Sequence, residues 1–142
     1  MSNGNFTVKQ QKMLRKAQRI IDEASLSYGD VLNQHILTLK TSLDKNDIQD
    51  AIRICHLINS QAGTFGWHLA GELSGWFKRV LIKQQQESGL NSTVSRLFMD
   101  SLNHMVKQDL RAESNAAVTL LRDLETALKS VSGSPDSSPL KR

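Results

Sequence analysis

The 142-residue sequence predicts an all-α protein. Three observations carry that prediction. Both prolines fall within the last eight residues, so nothing from residue 1 to 134 breaks a helix by removing an amide hydrogen. Apolar residues recur three and four apart along most of the chain, which is the spacing of one helix face. Short polar segments containing Gly, Asn, Asp or Ser interrupt those runs, and short connections force neighbouring helices to alternate direction. The expected architecture is an antiparallel four-helix bundle over about residues 28–130, with an additional N-terminal helix over about 8–26 packed across it. At this length one domain, 1–130, buries a sufficient core without a second unit.

The first expected helix places Met13 or Leu14, Ala17, Ile20 or Ile21 and Ala24 on one side, and its other side is basic. Ser27, Tyr28, Gly29 and Asp30 interrupt the period, and Asp30 is an N-cap residue type for a second helix with the stripe Leu32, Ile36, Leu39 and Leu43. Asp44 to Asp47 is a polar turn in which Asn46 or Asp47 caps a third helix running to about Ala62. Its stripe is Ile48, Ala51 or Ile52, Cys55, Ile58 and Ala62. At 100° per residue, His56 lies beside that stripe, with Gln49, Arg53, Ser60 and Gly63 on the same flank.

Gly63 is expected to end the third helix, because glycine tolerates positive φ, and Thr64 to cap a fourth over about 65–86. That helix carries Leu69, Leu73, Trp76 or Phe77, Val80 and Gln84 at core spacing. Gly71 and Gly75, one turn apart, permit close approach of another backbone. Glu87 to Ser92 reads as a loop, with Ser92 or Thr93 as the next cap. From 93 to about 130 the apolar spacing continues, and the polar insert Arg111 to Asn115 admits either one bent helix or two. Residues 131–142 are rich in Ser and Pro, lack apolar period, and are expected to be a disordered tail.

Composition narrows the function. The net charge is +4, but the cations are scattered along helices, which argues for solvated faces and against a nucleic-acid partner. No apolar run approaches the length of a membrane span, so no membrane partner is expected. One cysteine, Cys55, forms no internal disulfide, and a reducing, cytoplasmic setting follows. His35, His68 and His104 lack metal-ligand spacing, so no metal and no cofactor is expected. Cys55 and His56 diverge by about 100° on a helix and make a poor nucleophile–base pair. Trp67 and Trp76 read as packing residues.

The stretch from Cys55 to Gly66, Cys-His-Leu-Ile-Asn-Ser-Gln-Ala-Gly-Thr-Phe-Gly, is similar to the phosphoacceptor segment of histidine-containing phosphotransfer (HPt) domains, whose usual form is His-x-Leu-Lys-Gly-Ser-Ala-Gly-x-x-Gly. It departs from that form at Asn59, where the family has a lysine, and at Ser60, where it has a glycine. The resemblance implies a phosphocarrier with no kinase activity of its own, His56 being the phosphoacceptor that relays a phosphoryl group between receiver-domain aspartates in a two-component phosphorelay. The receiver domains of response regulators or hybrid histidine kinases are the implied partners, supplying Mg²⁺ and most catalytic groups, and the protein is expected to act as a monomer.

What such a carrier contributes is an exposed ring nitrogen, a clear approach and charge or donors for the phosphoryl oxygens. The expected phosphate environment is Asn59 as an amide donor with Arg53 or Lys78 supplying the cation, Arg53 preferred because it lies one turn before His56. Leu57, Ser60 and Gly63 are the expected docking surface, and Ile54 is expected to be buried by the N-terminal helix. The alternative is an HPt-like binding or regulatory module that docks on a receiver or kinase without phosphate, which the missing lysine motivates.

Overall fold

A computed structural model of the protein describes residues 7–132, apart from the side chains of Ser25 and Ser132. These residues are all-helical: α1 (Val8–Asp44), α2 (Ile48–Gln61), a 3₁₀ turn (Ala62–Phe65), α3 (His68–Gln86), α4 (Ser92–Lys107) and α5 (Asn115–Ser132). The segment 133–142, most of the expected tail, lies outside the described residues, whereas 131 and 132 close α5.

The two helices expected before residue 44 are one. Thr7 opens α1 with a reciprocal capping box, its hydroxyl accepting from the Gln10 amide while the Gln10 side chain accepts from the Thr7 amide. The turn signals at 27–30 are absorbed within the helix. Ser27 Oγ donates back to the Ala24 carbonyl at 3.0 Å, which satisfies the hydroxyl without ending the helix. Tyr28 is buried and stacks on Phe65 with centroids 4.9 Å apart, so this turn is held by tertiary packing. Gly29 faces Trp67, and Asp30 sits mid-helix as an exposed residue rather than a cap. Residues 8–23 are exposed almost throughout, so the N-terminal part of α1 is not packed across the core as expected.

Asp47 caps α2 by accepting from the Asp50 amide, and Asn46 takes the left-handed conformation in the turn before it. The chain then reverses three residues later than expected. Gly63 and Thr64 belong to the 3₁₀ turn, and Gly66, at φ 86°, is the residue in the left-handed region. The Trp67 amide bonds back to the Ala62 carbonyl at 2.8 Å and closes the reversal. Trp67 occupies the cap position of α3 without a side-chain bond, so Thr64 does not cap it.

An orphan donor in the first turn of α3 is satisfied from elsewhere in the chain. The Leu69 amide donates to the Arg111 carbonyl at 2.9 Å, and the Arg111 guanidinium lies over the Trp67 ring, 4.5 Å from its centroid. Asn91, rather than Ser92 or Thr93, caps α4, accepting from the Thr93 and Val94 amides. The polar insert separates α4 from α5, which settles the open choice in favour of two helices.

All five helices contribute to one hydrophobic cluster. Tyr28, Leu32, Ile36 and Leu39 of α1 meet Ala51, Ile54, Cys55 and Ile58 of α2, Leu73, Phe77 and Leu81 of α3, Phe98 and Leu102 of α4, and Leu124 and Leu128 of α5. Phe77 and Phe98 stack at 4.5 Å, and Trp76 meets Phe98 edge-on at 5.0 Å. Ile54 is buried on α2, which packs against both α1 and α3, but not by the N-terminal segment as expected, since residues 8–23 are exposed almost throughout. Both tryptophans are buried as packing residues.

Candidate functional site

The α2–α3 pair is built around absent side chains. A Cβ at Gly71 would lie 3.6 Å from the Asn59 carbonyl, and one at Gly75 would lie 2.6 Å from Asn59 Nδ2. Only glycine at 75 leaves room for the amide of Asn59, which donates to the Gly71 carbonyl at 2.8 Å. From that anchor the contacts step one way along α2 and the opposite way along α3. Asn59 meets Gly75, His56 meets Lys78, and Gln49 accepts from Gln85 at 2.6 Å, so the two helices run antiparallel in a fixed register.

His56 projects from this pair as an exposed side chain, and Lys78 Nζ stands 3.2 Å from its Nδ1. An ammonium donates and never accepts, so the contact makes Nδ1 the acceptor and places the ring proton of neutral His56 on Nε2. Lys78 is half-buried and forms no ion pair among the described residues. Its cation is therefore directed at the imidazole rather than neutralised by a carboxylate.

Arg53, the preferred source of charge, is engaged elsewhere. Its guanidinium pairs with Asp50, with Nη2 and Nε both 2.8 Å from Oδ1. Asp50 also receives the Ser42 hydroxyl of α1, and these two partners, Ser42 first and Arg53 second, hold its carboxyl below the usual range. Of the two cations expected, Arg53 or Lys78, it is Lys78 that stands beside His56. Asn59, expected as a phosphate donor, spends its amide on Gly71 and works between the helices.

The expected docking residues are near but unequal. Ser60 is exposed, its hydroxyl folded back onto the Leu57 carbonyl at 3.0 Å. Leu57 and Gly63 are half-buried, so Leu57 offers only part of its apolar surface to a partner. Cys55, one residue before His56, is fully buried, and burial pushes its thiol up to about 12, against a smaller opposing pull from the Lys78 charge. A thiol held neutral in that way is packing, not a nucleophile.

Sequence reasoning missed the Gln49–Gln85 bridge and the wedge of Asn59 against Gly75. The glycine pair signalled close approach, but a helical wheel of one helix does not identify which residue fills the groove of the other. No family model, curated protein or solved structure matches the chain.

Proposed function

We propose that the protein is a histidine phosphotransfer carrier in a cytoplasmic two-component phosphorelay, accepting a phosphoryl group on His56 from a receiver aspartate and passing it to another. In this reading the C-terminal half of α1 with α2, α3 and α4 forms the antiparallel four-helix bundle, and α5 is an addition to it. The observation that carries the proposal is the exposed imidazole of His56 with the Lys78 ammonium 3.2 Å from Nδ1. Sequence similarity at Cys55 to Gly66 supplies the chemical class.

The chemistry follows from what these two side chains hold. Attack on phosphorus needs a lone pair on Nε2, hence the ring proton on Nδ1. The resting contact favours the opposite tautomer, so Lys78 withdraws from Nδ1 as the proton moves there. The Nε2–P bond then forms as the O–P bond of the acyl phosphate breaks, releasing the aspartate carboxylate. The ring is momentarily cationic and returns its Nδ1 proton to solvent. The released ammonium turns to the phosphoryl oxygens, supplying the charge that Asn59 cannot. As the resemblance implies, the receiver brings the remaining catalytic groups, so exposure and small neighbours such as Ser60 are what this chain contributes to docking.

The engagement of both Asn59 and Arg53 away from His56 favours a second reading, a docking module that binds receivers without accepting phosphate. Incubation with ³²P-labelled receivers separates the two. The carrier reading expects label on wild type and none on His56→Gln, a transfer rate about 10- to 100-fold lower in Lys78→Ala, and a rate within about threefold of wild type in Arg53→Ala. Receiver binding with no label on wild type, and unchanged by His56→Gln, would establish the module instead.

A further inference from the structure

The first five turns of α1 form an amphipathic helix with nothing over its apolar side. Met13, Leu14, Ile20 and Ile21 are 63%, 54%, 58% and 46% exposed, and Ala17 lies among them. At 100° per residue these side chains and Ala24 share an arc of about 120°. The remaining surface holds Lys9, Lys12, Arg15, Lys16 and Arg19 and, in its last turns, Asp22 and Glu23, together with the exposed Val8 and Leu26 near its two ends. From Val8 to Ile21 the sequence has no acidic residue, and none of the five cations forms an ion pair among the described residues. The stripe continues directly into Tyr28, Leu32, Ile36 and Leu39, which the other helices bury.

We propose that this segment binds an anionic lipid bilayer surface, lying in the headgroup plane with its apolar stripe in the acyl boundary. Charge decides among occupants. A second copy would cover the stripe but would bring five more cations against a segment that carries five of its own and only two acids, Asp22 and Glu23. A bilayer containing anionic headgroups matches both sides of the helix, apolar surface below and cations around it, and the two attractions add. This is surface attachment, since among the described residues no helix is long and apolar enough to cross a membrane. It is independent of what His56 does.

Co-sedimentation of the full-length protein with vesicles of phosphatidylcholine, with and without phosphatidylglycerol, tests the proposal. Binding is expected on the anionic vesicles and at least about tenfold less on phosphatidylcholine alone, each cation near the surface contributing roughly fivefold. Raising salt from about 50 to about 500 mM should lower partitioning at least about tenfold. Ile20→Glu/Ile21→Glu and Lys12→Glu/Lys16→Glu should each lower it by at least about tenfold with an unchanged melting temperature, because these side chains lie outside the core. Absence of binding to anionic vesicles at low salt overturns the proposal, as does equal binding to both vesicle types. A dimer that forms without lipid, strengthens with salt and is dissolved by Ile20→Glu/Ile21→Glu would assign the stripe to a second copy. Low-salt capture only by an acidic protein surface, with no vesicle binding, would assign it to a protein partner.

Discussion

The α2–α3 pair and the N-terminal turns of α1 carry the same sequence signal, apolar residues three and four apart, and the structure treats them in opposite ways. Across α2 and α3 most apolar positions join the core, Leu57 and Ile82 staying half-buried outside it, and the polar positions between are tied together at Asn59–Gly71 and Gln49–Gln85. Along residues 8–23 of α1 the apolar positions face no other element. Period defines a face, but whether that face is covered depends on how much chain remains to cover it. α2 has both α1 and α3 against it, whereas α1 is simply longer than the helices available to pack on it.

That contrast is open to direct attack. The largest effect belongs at the buried end: Phe77→Ala, which removes a fully buried ring stacked on Phe98, is expected to cost about 3–5 kcal/mol in denaturant unfolding. A cost near zero would mean the covered region is not covered. Next, Gly75→Ala forces its Cβ onto Asn59 Nδ2 and is expected to cost about 1–3 kcal/mol. The neighbouring Gly71→Ala meets only ordinary contacts and should be neutral or stabilising by up to about 1 kcal/mol. Equal costs at the two positions would break the wedge argument.

A third effect is a pH dependence confined to the buried side. The folded-state pKa of Cys55 is raised from 9.0 to about 12, and that of Tyr28 is raised from 10.0, so the native state keeps protons that the unfolded chain releases. Stability is therefore complete below about pH 9 and falls as the pH rises toward 12, with Cys55 contributing a slope of at most about 1.4 kcal/mol per pH unit. Urea midpoints measured from pH 7 to 11 should show that fall, and Cys55→Ala should flatten it. An equally steep fall in the variant would remove Cys55 as its source. Smallest of all, Ile21→Ala on the uncovered stripe should change stability by no more than about 0.5 kcal/mol in urea. A larger loss would reveal a covering contact there.

Much of the fold was legible because helix ends are local chemistry. The polar turn at 44–47 and the loop read at 87–92 could be placed from Asp, Asn and Gly, the loop ending one residue early because Asn91 is the cap of α4. The misreadings have tertiary causes. Residues 27–30 look like a turn, yet Ser27 satisfies its hydroxyl inside the helix and Tyr28 is held by Phe65, so distant packing overrides local preference. Gly63 and Gly66 are equivalent to a reader of sequence, and only the return bond from Trp67 to Ala62 selects the second. At the site, His56 stood out through the similarity of the segment Cys55 to Gly66 to a phosphoacceptor motif, and one helix wheel was enough to place it on an exposed flank. Arg53 and Asn59 are each engaged by a neighbour that a single wheel cannot show: Asp50, which also receives Ser42 of α1, and Gly71 of α3.

The bond from Leu69 to Arg111 bears on the order in which the protein assembles. During synthesis α3 emerges well before residue 111, so its first turn begins life without that carbonyl and without the guanidinium that later covers Trp67. The α2–α3 pair, made of contacts close in sequence, is able to form early, because short loops close at small entropic cost. The entrance to α3 is locked only when the chain has passed α4 and turned back. A nascent chain halted before residue 111 would hold its histidine site in outline and leave the end of the helix that supports it frayed.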